Sequence, residues 1–226
     1  MKQRRIVVVS QKGGVGKSTF ARSLAVEFTK ADWRTKIIDM DTKQGTSTKW
    51  AMRRQEAGIE PAIQVESNNN VASAVNTNSD YQLLIFDGQP HASSLTREAA
   101  EGADLVIIPL KAGEDEIDPA IDLARELHTK AGVDPMRIFF LFNQIADENA
   151  VDVKRTYELI ERQGYPTSDS YIRNLTSYNK ALSEGRGITE VSHPKVKAEA
   201  EAALNDIVGH FYNLIEQEKQ EKQGVA

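Results

Sequence analysis

The sequence predicts a three-layer α/β fold, a mostly parallel twisted sheet flanked by helices. Three observations predict it: short apolar runs recur along the chain, stretches with helical spacing lie between them, and a glycine-rich loop follows the first run. Continuous Val, Ile, Leu and Phe, rather than strict alternation, suit strands covered on both faces. Strands that alternate with helices imply parallel pairing.

Taken in order, RIVVVS (5–10) reads as the first strand and 17–30 as a helix. TKIIDM (35–40) is the next strand, followed by a helix over 46–57 and a weaker strand, AIQVE (62–66). YQLLIFD (81–87), ADLVIIPL (103–110) and RIFFLFN (137–143) complete the strands, with helices expected over 92–101, 116–131, 150–163, 175–184 and 194–217. The tail, from about 215 to 226, reads as a fraying helix end. No repeat or linker divides the chain, so residues 1–226 are expected to form one domain.

With 226 residues and 40% hydrophobic content, the chain can bury a full core. The absence of cysteine excludes disulfides, thiolate metal sites and cysteine-ligated iron–sulfur clusters. No apolar run approaches the roughly 18 residues of a membrane span, and the apolar stretch after the basic N-terminus is too short for a signal peptide. A cytoplasmic protein is expected. The net charge of −5 argues against nucleic-acid binding over the whole surface and leaves room for a local basic face.

The chemistry concentrates in QKGGVGKST (11–19), between the first strand and its helix. Gly13, Gly14 and Gly16, with Val15 among them, allow backbone N–H groups to ring a phosphate, and the helix behind adds its dipole. Lys17 can reach terminal phosphate oxygens, the Ser18 hydroxyl can hold Mg²⁺, and Thr19 extends the donor set. A glycine-rich turn that merely permits tight packing is the alternative, and the conjunction of strand, loop, Lys-Ser and helix favours the phosphate reading. The usual G-x-x-x-x-G-K-[ST] pattern requires glycine where Gln11 stands, and Lys12 is a second lysine that the pattern does not need.

KGGVGKST resembles the deviant Walker A motif of the ParA/MinD family of ATPases, whose members dimerise around ATP. The resemblance covers essentially the whole chain and is dense over 5–50 and 81–110. It implies a P-loop NTPase fold, ATP and Mg²⁺ as cofactors, hydrolysis to ADP and phosphate, and a homodimer in which Lys12 reaches the partner's phosphates.

Carboxylates at strand ends would serve the metal and the attacking water. IIDMD supplies Asp39 and Asp41, which strand alternation would point to one side, although Asp pairs there also cap turns. LLIFD supplies Asp87. The resemblance implies that Asp39 lies near the magnesium shell, that Asp41 positions the water, and that Asp87 contacts the metal through water. Metal contact thus falls to Ser18, Asp39 and Asp87, and catalysis to Lys12, Lys17 and Asp41. TKQG after Asp41 and GQPH after Asp87 depart from the Pro-Gln-Gly and Thr-Pro-Pro of many relatives, and His91 receives no catalytic role. Asn143 ends a strand, where it either caps the strand or, as the resemblance implies, reads adenine.

Arg173, Lys180, Arg186, Lys195 and Lys197 gather in the C-terminal third, and Lys49, Arg53 and Arg54 follow Asp41. They are either a solvated face balanced by acids such as Glu184 and Glu199, or a strip that binds DNA non-specifically when two subunits combine. The resemblance implies nucleoid association and a ParB-like or other small adaptor that stimulates hydrolysis. The size and the lack of a preceding DNA-binding domain look most like plasmid-partition members, which segregate DNA. Alternatives are a positioner of an organelle or chemoreceptor cluster and a metabolic P-loop enzyme of the dethiobiotin synthetase type. Membrane binding, the MinD-like reading, is opposed by the charged EKQEKQ tail.

Overall fold

The computed structural model describes residues 2–90, 93–146 and 151–224. The elements are β1 (Arg4–Ser10), α1 (Lys17–Lys30), β2 (Thr35–Asp39), α2 (Thr46–Glu56), β3 (Gln64–Ser67), α3 (Val71–Thr77), β4 (Leu83–Pro90) and α4 (Ser94–Glu101). They continue with β5 (Leu105–Leu110), α5 (Glu114–Ala131), β6 (Ile138–Ile145), α6 (Val151–Arg162), β7 (Thr167–Arg173), α7 (Thr176–Ser183) and α8 (Pro194–Gly224). The strands form one sheet in the order β3-β2-β4-β1-β5-β6-β7, with every neighbouring pair parallel.

Strand alternation splits the core into two layers. Ile6 and Val8 of β1 pack with Phe20 and Leu24 of α1, Trp50 of α2 and Leu204 and Phe211 of α8. Val7 and Val9 face the other way, against Ala99 of α4, Leu123 of α5 and Ile160 of α6. Both faces are covered, which is why the strands read as continuous apolar runs. From β1 the chain builds β2 and β3 on one side, returns through β4, and continues on the other side with β5. That reversal opens a crevice beyond the carboxyl ends of β1 and β4, the usual ligand position in such sheets.

Three elements differ from expectation. The edge strand β7, TSDSYIR, is polar and half-buried, so a search for continuous apolar runs passes over it. The short α3 announces itself by its cap, with Asn70 accepting from the Ser73 N–H at 2.7 Å. The last helix, expected to end near 217 and then fray, continues to Gly224. Within that segment Glu218 accepts from Lys2 at 3.1 Å and from Arg4, so the tail is fastened to the start of β1. His91 and the first residues expected for the helices at 92 and 150 lie outside the described residues.

Candidate nucleotide-binding site

The loop between β1 and α1 turns on glycines. Gly14 and Gly16 have φ of 72° and 108°, a left-handed region costly to residues with a Cβ. At Gly16 a Cβ would also stand 2.2 Å from Asn143 Nδ2. The loop opens α1 over a cavity of about 290 Å³, lined by Gly13, Gly14, Gly16, Lys17, Ser18, Thr19 and Arg22 and, from other elements and loops, by Asp41, Thr46, Asp87 and Gln144.

Lys17 is 7% exposed, and its Nζ donates to Ser10 Oγ at 3.1 Å and to the Lys12 carbonyl at 3.3 Å. Burial pulls its ammonium below the ordinary value, opposed by Asp87 and Asp41. Asp87, 2% exposed, is gripped from both sides: Ser18 Oγ donates to Oδ1 at 3.1 Å and Ser47 Oγ to Oδ2 at 2.6 Å. Burial pushes its carboxyl up against the Ser47 bond, the Arg22 charge and the Ser18 bond, and Asp39 adds to the rise. Thr46 Oγ1 lies 3.2 Å from Ser18 Oγ.

Asp39 and Asp41 do not share a side. β2 ends at Asp39, so alternation ceases to apply beyond it. Asp39 is fully buried beneath α2, where Oδ2 accepts from the N–H groups of Ser47 at 3.0 Å and Thr48 at 3.1 Å. It therefore anchors the helix N-terminus and does not line the cavity. Asp41 remains on the cavity wall and accepts from the Gln44 N–H at 3.1 Å.

Asn143 is also displaced from its expected position. It is 3% exposed, and its Nδ2 donates to the Val15 carbonyl at 2.8 Å, so this amide group holds the loop that opens α1. Val15 is itself 2% exposed and contributes packing. Gln144, in the left-handed region at φ 59°, takes the rim position and donates to the Gly14 carbonyl at 3.0 Å. Lys12 stands outside the cavity, 40% exposed at its side chain and 3.8 Å from Glu116.

The basic residues of the C-terminal third are spread over a mixed surface. Arg173 pairs with Glu199 at 2.5 Å, Lys197 with Glu201 at 3.4 Å, and Lys180 and Arg186 each with Glu184 at 3.9 Å. Lys195 is exposed. Lys180 and Arg186 line a second cavity of about 400 Å³ with Glu184 and His193. Arg54 does not belong to a basic strip: it is 1% exposed and bonded to Glu190. Sequence reasoning missed Arg22, Thr46, Ser47 and Gln144, and the one available signal was Arg22 itself, a cation among the apolar Phe20, Ala21, Leu24 and Ala25 of α1.

The donor set suits Mg²⁺. Ser18, Thr46 and Asp87 present hard oxygens at one place, and Asp39 Oδ1 is buried without a hydrogen-bond partner. No cluster of three or more His, Cys, Asp or Glu exists among the described residues. Mg²⁺ itself takes one or two carboxylates and fills its shell with phosphate oxygens and water.

The CbiA family profile, the CobQ/CobB/MinD/ParA nucleotide binding domain, matches residues 6–188. The chain is 25% identical over 188 residues to the maintenance of carboxysome distribution protein A of Gloeobacter kilaueensis, covering 83% of this chain and 84% of the relative. It is 24% identical over 210 residues to protein ParA of Rhizobium radiobacter, covering 92% and 85%. The structure of a putative plasmid partition protein from Borrelia burgdorferi B31, bound to AMPPNP, superposes with a TM-score of 0.70 at 20% identity, covering 92% of this chain and 99% of that one. A glycine-rich loop opening a helix, hydroxyls gathered on a buried carboxylate and a seven-stranded parallel sheet agree with these likenesses, and the chain belongs to the CobQ/CobB/MinD/ParA nucleotide-binding domain family.

Proposed function

We propose that this protein is a ParA-type partition or positioning ATPase that hydrolyses ATP slowly to ADP and phosphate and uses ATP as a dimerisation switch. The observation that carries the reading is a division of labour between the two lysines. Lys17 lies inside the cavity with Ser18, Asp41 and Asp87, whereas Lys12 stands outside it, its side chain 40% exposed and 3.8 Å from Glu116.

Mg²⁺, held by Ser18 and Asp87 beside Thr46, would supply charge neutralisation at the phosphates. Lys17 would exchange Ser10 Oγ and the Lys12 carbonyl for phosphate oxygens, an exchange favoured because its ammonium is desolvated where it waits. Asp41, already on the wall, would orient the attacking water. Lys12 would leave Glu116 for the partner's phosphates, so that only a loaded pair closes.

The ATP dimer would bind DNA non-specifically, adding the basic residues of both subunits. Exposed ion pairs are worth about 0–1 kcal/mol, so Lys180, Arg186 and Lys197, together with Lys195, can turn to phosphate at little cost. Arg173, held by a shorter pair, is the least available of the five. An adaptor of ParB type or another small protein would stimulate hydrolysis and release the dimer, in the cytoplasm and on the nucleoid. No helix among the described residues is long and apolar enough to cross a membrane.

A mobility-shift assay on DNA of arbitrary sequence with ATP, ADP or no nucleotide tests the reading. Retardation with ATP alone is expected, and equal retardation in all three lanes refutes the switch. The carboxysome-distribution relative favours a second reading, in which the same cycle positions a cargo other than DNA. A neighbouring gene for a small centromere-binding protein would favour partition. ATPase activity strictly dependent on a small carboxylic acid would instead identify a metabolic enzyme.

A further inference from the structure

Arg22 has no part in the chemistry described so far, yet it is 8% exposed and lies on the wall of the nucleotide cavity. It follows Ser18 by one turn of α1, on the same face, and helical side chains lean toward the N-terminus, so its guanidinium reaches back to the level of Ser18. Its helix neighbours Phe20, Ala21, Leu24 and Ala25 are core residues at 0% exposure. A charge in such a place is costly unless fixed partners compensate it.

The partners are specific. Arg22 Nε donates to Ser47 Oγ at 3.0 Å, and Ser47 Oγ donates to Asp87 Oδ2 at 2.6 Å. The Ser47 N–H is committed to Asp39 Oδ2 at 3.0 Å. On the far side the guanidinium carbon lies 6.0 Å from the centre of the Trp50 ring. Burial pulls the guanidinium down from its ordinary value, and Asp87 and Asp39 oppose this. With Ser47 holding Oδ2 and Ser18 on Oδ1, the rotation of the Asp87 carboxylate is fixed, and Oδ1 is presented to the Ser18–Thr46 side.

We propose that Arg22 is a positioning residue for the divalent cation: acting through Ser47, it locks the Asp87 carboxylate and the start of α2 in the arrangement that receives Mg²⁺ with the nucleotide. This rests on the nucleotide reading above and adds a residue to it. Two electrostatic effects compete here. A cation near a metal site repels the metal, but Arg22 reaches the site through a hydroxyl and a carboxylate, and preorganisation of the ligand outweighs the repulsion. Outer-shell partners of metal ligands typically govern about 10- to 100-fold in metal affinity.

The test titrates Mg²⁺ against a fluorescent ATP analogue bound to the full chain, for wild type, Arg22→Leu, Arg22→Lys and Ser47→Ala. Arg22→Leu should raise the half-saturating Mg²⁺ concentration by about 10- to 100-fold, with analogue affinity in EDTA little changed. Arg22→Lys should recover part of the loss, because an ammonium can still donate to Ser47, and Ser47→Ala should resemble Arg22→Leu. An unchanged Mg²⁺ requirement in Arg22→Leu, an equal loss with and without metal, or a lysine variant no better than leucine each overturns the proposal. Should Arg22→Leu fail to fold by circular dichroism, Ser47→Ala decides, and an unaltered Mg²⁺ requirement there overturns it. Wild type that bound the analogue without any Mg²⁺ effect would also overturn the proposal, whereas wild type that did not bind the analogue at all would overturn the nucleotide reading beneath it.

Discussion

Replacing Arg54 with methionine removes the most heavily committed buried cation outside the nucleotide cavity. Arg54 projects from the last turn of α2 at 1% exposure, with its guanidinium carbon 5.6 Å from the centre of the Trp50 ring. Its Nη1 and Nη2 donate to Glu190 at 2.7 and 3.1 Å, Nη1 also donates to the Gly185 carbonyl at 3.0 Å, and Nε donates to the Pro61 carbonyl at 2.8 Å. The substitution leaves the Glu190 side chain, 9% exposed, with the Gly187 N–H at 2.8 Å and Lys30 at 3.7 Å. Breaking one side of a buried pair costs about 3–5 kcal/mol, and each orphaned carbonyl adds about 1–3 kcal/mol unless water reaches it. Methionine recovers part of this by packing on Trp50, so the expected loss is about 4 kcal/mol, a large share of the roughly 5–15 kcal/mol that holds a typical domain. Urea unfolding followed by the fluorescence of Trp33 and Trp50 reads it as a midpoint lowered by about 1–2 M, for a slope of about 2–3 kcal/mol/M. The double variant Arg54→Met with Glu190→Met should be less destabilised than Arg54→Met by about 2 kcal/mol, because neither charge is then stranded. A loss below about 1 kcal/mol, or a double variant as unstable as the sum of the singles, refutes the reasoning.

The same pair sets an acid limit. Burial acts to raise the Glu190 carboxyl, but the Arg54 bond, the Gly187 N–H and the charges of Arg54 and Lys30 bring it net below its ordinary 4.5. A depressed carboxyl contributes stability that is complete above its unfolded value and is lost as pH falls toward the folded one. Wild type should therefore lose more stability than Glu190→Gln as pH falls through and below the ordinary value of 4.5, as measured by thermal melts. Lys12→Ala should leave nucleotide affinity nearly intact, since Lys12 lies outside the cavity, but should abolish ATP-dependent dimers in sedimentation. Asp41→Ala should bind ATP and hold the dimer closed, and rapid dissociation of that variant with ATP would remove Asp41 from the role of water positioner.

Much of the fold was legible because its signals are local. The helix at 17–30 and the buried strands around 5–10 and 103–110 announce themselves by residues a few positions apart, as do the glycine-rich loop and Asp87 after the apolar run of its strand. The polar edge strand Thr167–Arg173 was not legible, since its hydrogen bonds to β6 substitute for the apolar run that usually marks a strand.

Apart from α3 and β7, the sequence by itself determined the order of alternating strands and helices and the loop with its Lys17–Ser18 start of α1, because backbone conformation and side-chain spacing within one turn or one strand settle those features. Tertiary structure alone decided that Asp39 serves a helix N-terminus, that Asn143 holds the loop that opens α1, that Arg54 is buried against Glu190, and that Arg22 meets Ser47. In each case the partner belongs to another element, so whether a polar side chain faces a ligand, a solvated surface or a buried neighbour is set by which elements the sheet order brings together.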